Sequence, residues 1–342
     1  MKSIRRGVGI LLSLTSILAT RAGSEIKDIS PSPRTHDEFG QPLPSELAAY
    51  TREKEAQQAS ANILDVTPLG DSQIDAFRTY AVYAGTAYCL PASTATWTCG
   101  SSCDANPSFV TTASGGDGAF VQFWYVGWDP TLKTVIVAHQ GTHATKIVPV
   151  IVDMNIILRP LSPRLFRLGV PFGVLVHSGF ADAQERSAKA VLKAVRTTIG
   201  KYRATRVAVV GHSLGAAIGM LSALHLKHQL PPWIEMQFRG FGMPRTGNQG
   251  FADYIDSFFG TSGAVQRISN LRDPVPILPT RLLQYSHTSG EVHITEDDVW
   301  NACGGQDNMD ERCSVGGVPI FLGGNVLDHG GPYGGYVMGE GC

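Results

Sequence analysis

The sequence has very little net charge. Among 342 residues, Lys and Arg total 28 and Asp and Glu total 29, a formal balance of −1. Its cations are unclustered as well. A nucleic-acid partner therefore has no electrostatic support, because phosphate binding draws on grouped Lys and Arg. Past the N-terminus no apolar run approaches the roughly 20 residues that span a bilayer, so no transmembrane anchor is expected. No paired C-x-x-C arrangement is present, which argues against a zinc site. No usable N-glycosylation acceptor exists, since Asn106-Pro107-Ser108 carries proline in the middle position. What the chain does have is 43% hydrophobic and 17% charged residues. That is too apolar for disorder, and too charged and Gly-punctuated for a membrane bundle. The length allows about two domains.

The first 22 residues predict export. Lys2, Arg5 and Arg6 form a positive start, residues 7–18 a short apolar run, and Thr20 and Ala22 supply small residues for cleavage. A secretory signal has that order, and the run is short for a membrane anchor. Without residues 1–22 the chain keeps 24 basic against 29 acidic residues. Residues 23–70 hold four basic and eight acidic residues, several prolines and a polar run over 51–60. They read as a flexible leader or pro-segment, with a helix over about 44–58 packed on the body as the other reading. Residues 71–342 are then the folded domain. Its six cysteines should be oxidised in an exported protein.

Helix and strand patterns alternate through this domain. Ile74, Phe77, Tyr80, Ala81 and Ala84 have helical spacing, as do Ala188, Val191, Val195 and Ile199, in a helix ending near Gly200. Residues 120–126, 133–138, 173–177, 207–210, 237–241 and 265–269 read as strands. Small residues after Leu214 (Ala216, Ala217, Ala223) suit a helix packed closely on a sheet. The alternation favours an α/β fold with a largely parallel centre.

Gly211-His212-Ser213-Leu214-Gly215 falls between an apolar strand and that helix. It is a G-x-S-x-G elbow in the strand-turn-helix context the pattern needs. The glycines allow a sharp turn, Ser213 projects at its head, and the helix N-terminus favours developing negative charge. The bland reading is a tight turn whose serine caps the helix. A serine hydroxyl needs a general base, and the base needs an orienting acid; elbow enzymes place both downstream. Among later histidines, His225 and His228 lie on the following helix. His287 and His293 flank the Ser289-Gly290 turn and read as surface or hairpin positions. His329 sits in the loop Asp328-His329-Gly330-Gly331, where catalytic groups are expected. Asp273, after the strand over 265–269, is the first choice of acid, and Asp328 the second.

With these residues in place, the stretch from about Tyr88 to Cys342 resembles the fungal class 3 lipases, a secreted family of triacylglycerol lipases and feruloyl esterases. The matches run in order: Val135-Ile136-Val137-Ala138-His139-Gln140-Gly141-Thr142, Val176-His177-Ser178-Gly179-Phe180, the elbow, Phe241-Gly242-Met243-Pro244-Arg245-Thr246-Gly247-Asn248, Asp273-Pro274-Val275-Pro276 and Asp328-His329. The resemblance implies an α/β-hydrolase fold, with a central mostly parallel sheet flanked by helices. It implies Ser213 as nucleophile, Asp273 as acid and His329 as base, with oxyanion donors at the backbone N–H groups of Leu214 and Thr142. Losing one such donor typically costs about 100–1000-fold in turnover. One departure is plain: the family usually has Arg before the Gly-Thr pair, and Gln140 stands there.

The resemblance further implies an apolar lid after the oxyanion residue, over about 144–158, with Ile147, Val148, Ile151 and Ile156 facing substrate. The lid's usual Trp is missing, and a buried element is the competing reading. The resemblance also suggests the pairs Cys89–Cys342, Cys99–Cys103 and Cys303–Cys313. It implies no cofactor and no metal. The expected activity is hydrolysis of carboxylic esters, first of all acylglycerols at an oil–water interface, by a monomer. The rivals are a feruloyl or short-chain carboxylesterase and, remotely, an inactive hydrolase fold that binds lipid.

Overall fold

A computed structural model describes residues 65–142, 156–166, 169–260 and 263–342. The expected signal segment and nearly all of the expected leader lie outside the described residues.

Thirteen strands are present among them: β1 (Val66–Pro68), β2 (Val110–Gly115), β3 (Trp124–Asp129), β4 (Thr134–His139), β5 (Leu158–Pro160), β6 (Leu175–His177), β7 (Arg206–His212), β8 (Glu235–Phe241), β9 (Gly247–Asn248), β10 (Val265–Asn270), β11 (Tyr285–Ser286), β12 (Glu291–Ile294) and β13 (Trp300–Cys303). Nine form one sheet in the order β1-β13-β12-β10-β8-β7-β4-β3-β2. The five inner strands β4, β7, β8, β10 and β12 run parallel, and the strands added at either edge are antiparallel. Four helices matter most: α1 (Asp71–Thr86), α2 (Ser178–Tyr202), α3 (Leu214–Gln229) and α4 (Gln249–Phe259).

Alternation along the strands builds two cores. Val135, Val137, Val207, Val209 and Phe238 face α2, α3 and α4. Ile136, Ala138, Ala208, Val210 and Phe241 face the other way, onto Phe77, Tyr80, Ala81 and Ala84 of α1. Both faces of β4 and β7 are thus covered, which is why residues 135–138 and 207–210 read as unbroken apolar runs. From Leu214 to Leu226 α3 is buried all round, and its small residues allow this close approach. The fold is an α/β hydrolase: a central parallel sheet between helical layers.

Four local expectations are corrected. The strand expected over 120–126 begins only at Trp124. The Asp117 carboxylate accepts the N–H groups of Ala119 and Val121, so the chain turns there before it extends. Val66–Pro68, inside the segment read as leader, pairs with β13 and edges the sheet. His287 and His293, read as surface positions, are buried at 1% and 4% exposure. Each has a ring partner: His287 meets the carbonyl of Pro276 and His293 the hydroxyl of Ser269. A second sheet, β11-β9-β6-β5, is antiparallel and made of strands of two or three residues; only β6 falls in an expected strand, the one over 173–177, and the others are too short for a periodicity to register.

Candidate active site

The parallel register sets His139, Gly211, His212 and Phe241 side by side at the carboxyl ends of β4, β7 and β8, with Ile268 of β10 beside Phe241. In open α/β sheets this edge is where ligands bind. Ser213 follows β7 directly. Its backbone takes φ 59° and ψ −129°, a conformation that costs a non-glycine residue energy and that clusters at functional sites. Its N–H donates to the carbonyl of Phe241 at 2.9 Å, which fixes the turn against β8. The flanking glycines are sterically required. A Cβ on Gly211 would lie 2.3 Å from the carbonyl oxygen of Gly215, and one on Gly215 would lie 2.2 Å from that of His139. Leu214 opens α3, so its N–H belongs to the first turn, where backbone donors have no partner within the helix.

Asp273 and His329 arrive from separate loops. Asp273 stands just past β10, with Oδ1 accepting the N–H of Val275 at 2.9 Å. Its Oδ2 lies 2.8 Å from Nδ1 of His329, and the two side chains are 1% and 0% exposed. A carboxylate only accepts, so Nδ1 of His329 carries the proton and Nε2 presents a lone pair. The loops are lashed together nearby. Asn270 Nδ2 donates to the carbonyl of Asp328, and the N–H of Arg272 donates to the Asp328 carboxylate. Asp328 therefore faces Arg272 and Asn325, away from the ring of His329. Desolvation raises its pKa.

Ser213 Oγ and His329 Nε2 are both buried and have no hydrogen-bond partner among the described residues. Eight other buried side-chain atoms share this state, so what sets these two apart is their place beside the Asp273–His329 pair at the strand ends. A nucleophilic hydroxyl and a bare imidazole nitrogen, both shielded from solvent, can carry out a proton transfer on a substrate bound between strand ends.

Thr142, the expected second oxyanion residue, lies beyond the end of β4. The neighbouring Gly141 packs so tightly that an added Cβ would be 3.2 Å from Cβ of Ser213. Gln140, where the family's Arg was expected, is 4% exposed. Ile147, Val148 and Ile151 of the expected lid lie outside the described residues. Ile156 is within them: its carbonyl accepts the Tyr285 hydroxyl at 2.6 Å, and the residue is 36% exposed.

The cysteines pair as Cys89–Cys342, Cys99–Cys103 and Cys303–Cys313. Glu291, Cys303 and Cys313 lie close enough together to resemble a set of metal ligands, yet the two sulfurs are joined to each other. The Glu291 carboxylate serves Arg267 and the N–H of Ser314. Sequence reasoning did not single out Tyr88 or His212. The second was legible only as the variable position of the elbow.

Fold and site geometry together define an α/β-hydrolase fold with a serine, a histidine and an aspartate gathered at the carboxyl ends of its strands. Residues 136–283 match the family described as lipase (class 3). The chain is 35% identical over 198 residues to the secreted mono- and diacylglycerol lipase 3 of Gibberella zeae, covering 57% of this chain and 60% of that protein. It is 32% identical over 203 residues to the secreted mono- and diacylglycerol lipase MDL3 of Malassezia globosa, covering 58% and 65%. The matches thus span less than two thirds of these relatives. The Rhizomucor miehei lipase in its propeptide complex superposes with a TM-score of 0.69 at 26% identity, over 81% of this chain and 85% of that one. A triacylglycerol lipase whose catalytic centre is described as a serine protease triad gives 0.69 at 26%, over 80% and 99%. The chain thus resembles the class 3 lipases over residues 136–283 and shares the fold of solved fungal lipases.

Proposed function

We propose that this protein is a secreted serine esterase that hydrolyses acylglycerols, with Ser213, Asp273 and His329 as its triad. The observation that carries the reading is the closed 2.8 Å pair of Asp273 and His329, together with Ser213 held in a strained elbow. Ser213 Oγ attacks the ester carbonyl while Nε2 of His329 takes its proton. The N–H groups of Leu214 and Thr142 receive the oxyanion. His329 then gives the proton to the departing alcohol. A water, deprotonated in turn by His329, attacks the acyl-serine; the bond to Ser213 Oγ breaks, His329 returns the proton to that oxygen, and the fatty acid is released. Asp273 holds the imidazole in the required tautomer and stabilises its cation.

Export is supported by the N-terminal pattern of residues 1–22, by three disulfides and by relatives named as secreted. Residues 23–70 act as the leader, shortened at its end by β1, and the body works as a monomer at an oil–water interface. The names of these relatives favour mono- and diacylglycerols within the wider acylglycerol class.

The test compares purified protein with Ser213→Ala on emulsified mono-, di- and triolein and on methyl ferulate. Acylglycerol hydrolysis that disappears in the variant supports the reading. Activity confined to methyl ferulate would sink it in favour of a feruloyl esterase.

A further inference from the structure

We propose that His212, braced by Tyr88, is a positioning residue that holds the backbone of His329 while Asp273 holds its ring. The inference rests on reading Ser213, Asp273 and His329 as the triad.

Nε2 of His212 lies 2.7 Å from the carbonyl oxygen of His329, and Nδ1 lies 2.7 Å from the hydroxyl of Tyr88. A carbonyl only accepts, so Nε2 carries the proton and donates. Nδ1 is then a bare lone pair, and the Tyr88 hydroxyl must donate to it. Both ring nitrogens are committed and one tautomer is selected. The opposite tautomer would turn a lone pair on Nε2 toward the lone pairs of the His329 carbonyl.

The cation is disfavoured as well. The groups facing His212 are the rings of Tyr88, His329 and Tyr333, none of them anionic at neutral pH. Burial, with the nearby His329 ring adding to it, holds His212 well below the usual imidazole range. Burial also raises Tyr88, so its hydroxyl keeps the proton it donates. A neutral His212 with its ring centroid 4.5 Å from that of His329 adds no repulsion when His329 becomes charged in the reaction.

Tyr88 also reaches the oxyanion side. Its hydroxyl lies 3.5 Å from the carbonyl oxygen of Thr142, and a Cβ on Gly141 would come within 2.3 Å of it. Tyr333 adds a second donor to the His329 carbonyl at 3.2 Å. Three components of the reaction thus meet at one buried pair. Ser213 is the next residue in the chain, His329 is bonded through its carbonyl, and the Gly141-Thr142 turn is packed against the Tyr88 hydroxyl. A pair in this place sets the spacing of nucleophile, base and oxyanion donors, and misplacing such groups by about 1 Å can cost about 100-fold in rate.

The test uses the full-length secreted protein on a soluble p-nitrophenyl ester, with Ser213→Ala as control. Tyr88→Phe removes only the hydroxyl. His212→Leu removes both bonds, and His212→Gln restores a terminal N–H that can reach the His329 carbonyl. Tyr88→Phe and His212→Leu should lower kcat about 10–100-fold with KM within about twofold, and His212→Gln should recover most of the loss. Nitrogen-15 spectra of histidine-labelled protein at neutral pH should show His212 protonated on Nε2 alone, and a mixed tautomer in Tyr88→Phe. Folded Tyr88→Phe with unchanged kcat, or His212 protonated on Nδ1, overturns the inference. If His212→Leu does not fold, Tyr88→Phe and the spectra decide. Activity surviving in Ser213→Ala would instead overturn the triad itself, a separate result.

Discussion

Gln140 closes on Phe123 twice: its backbone N–H donates to the Phe123 carbonyl at 2.8 Å, and its side-chain Oε1 accepts the Phe123 N–H at 2.9 Å. The pair extends the β3–β4 ladder by one rung and places Gly141 directly after a fixed point. A neutral amide does this by bridging within the sheet, where the family's usual cation would act through charge. Gln140→Leu leaves the Phe123 N–H without its acceptor. A loss of about 1–3 kcal/mol is expected in urea unfolding, with a several-fold fall in kcat as the turn loosens. A variant equal to the parent in both measurements would show that the amide has no such role.

Gly141 is the tightest point of the same turn. A Cβ there would lie 2.3 Å from the Tyr88 hydroxyl and 2.4 Å from the carbonyl of His212, and a backbone carbonyl cannot swing aside. Gly141→Ala should therefore displace the Gly141-Thr142 turn, which is proposed to hold an oxyanion donor, and lower kcat by about 100-fold or more, while circular dichroism stays unchanged. Near-parental turnover would mean that the turn has room to shift.

Asp273→Asn keeps the shape of the acid but presents an amide to Nδ1 of His329. The amide NH2 can turn toward that nitrogen and select the wrong tautomer. Turnover should fall by about 10,000-fold with little change in KM. Initial rates on a soluble ester decide the matter, and a loss under tenfold would place the acid elsewhere.

Acid sensitivity follows from the buried histidines. Burial lowers His139, His177 and His225 from 6.5 to about 4. The unfolded chain then binds more protons than the folded one between these values, so stability rises with pH across that window. It is fully present above about pH 6.5 and drains away as pH falls toward about 4, at up to about 1.4 kcal/mol per pH unit for each histidine. Urea midpoints measured from pH 7.5 down to pH 4.5 should decrease steadily, and His225→Gln should flatten the slope. A midpoint that rises on acidification would contradict this.

Much of the architecture was readable because the inner strands and helices carry strong patterns. Val207 to Val210 and the helix through Val191 and Val195 are apolar at the right period, and packing only extended them. What escaped notice has a common cause: the determinant was a tertiary partner. Val66–Pro68 is a strand because β13 offers an edge. His293 is internal because Ser269 on the adjacent parallel strand satisfies its ring. Within the site, Ser213, Asp273 and His329 could be ordered along the sequence because elbow, loop and strand end each have a local signature. Tyr88 and His212 could not, since 124 positions separate two residues whose meaning lies in touching.

The bond between Cys89 and Cys342 joins residues 253 positions apart, and every candidate site residue from Gln140 to His329 lies between them. The body from Cys89 to Cys342 is therefore a covalent ring. One protease cut anywhere inside it opens the ring without releasing a fragment, so Ser213, Asp273 and His329 remain on a single connected molecule. A nicked protein would migrate intact on a non-reducing gel and separate into two pieces only after reduction.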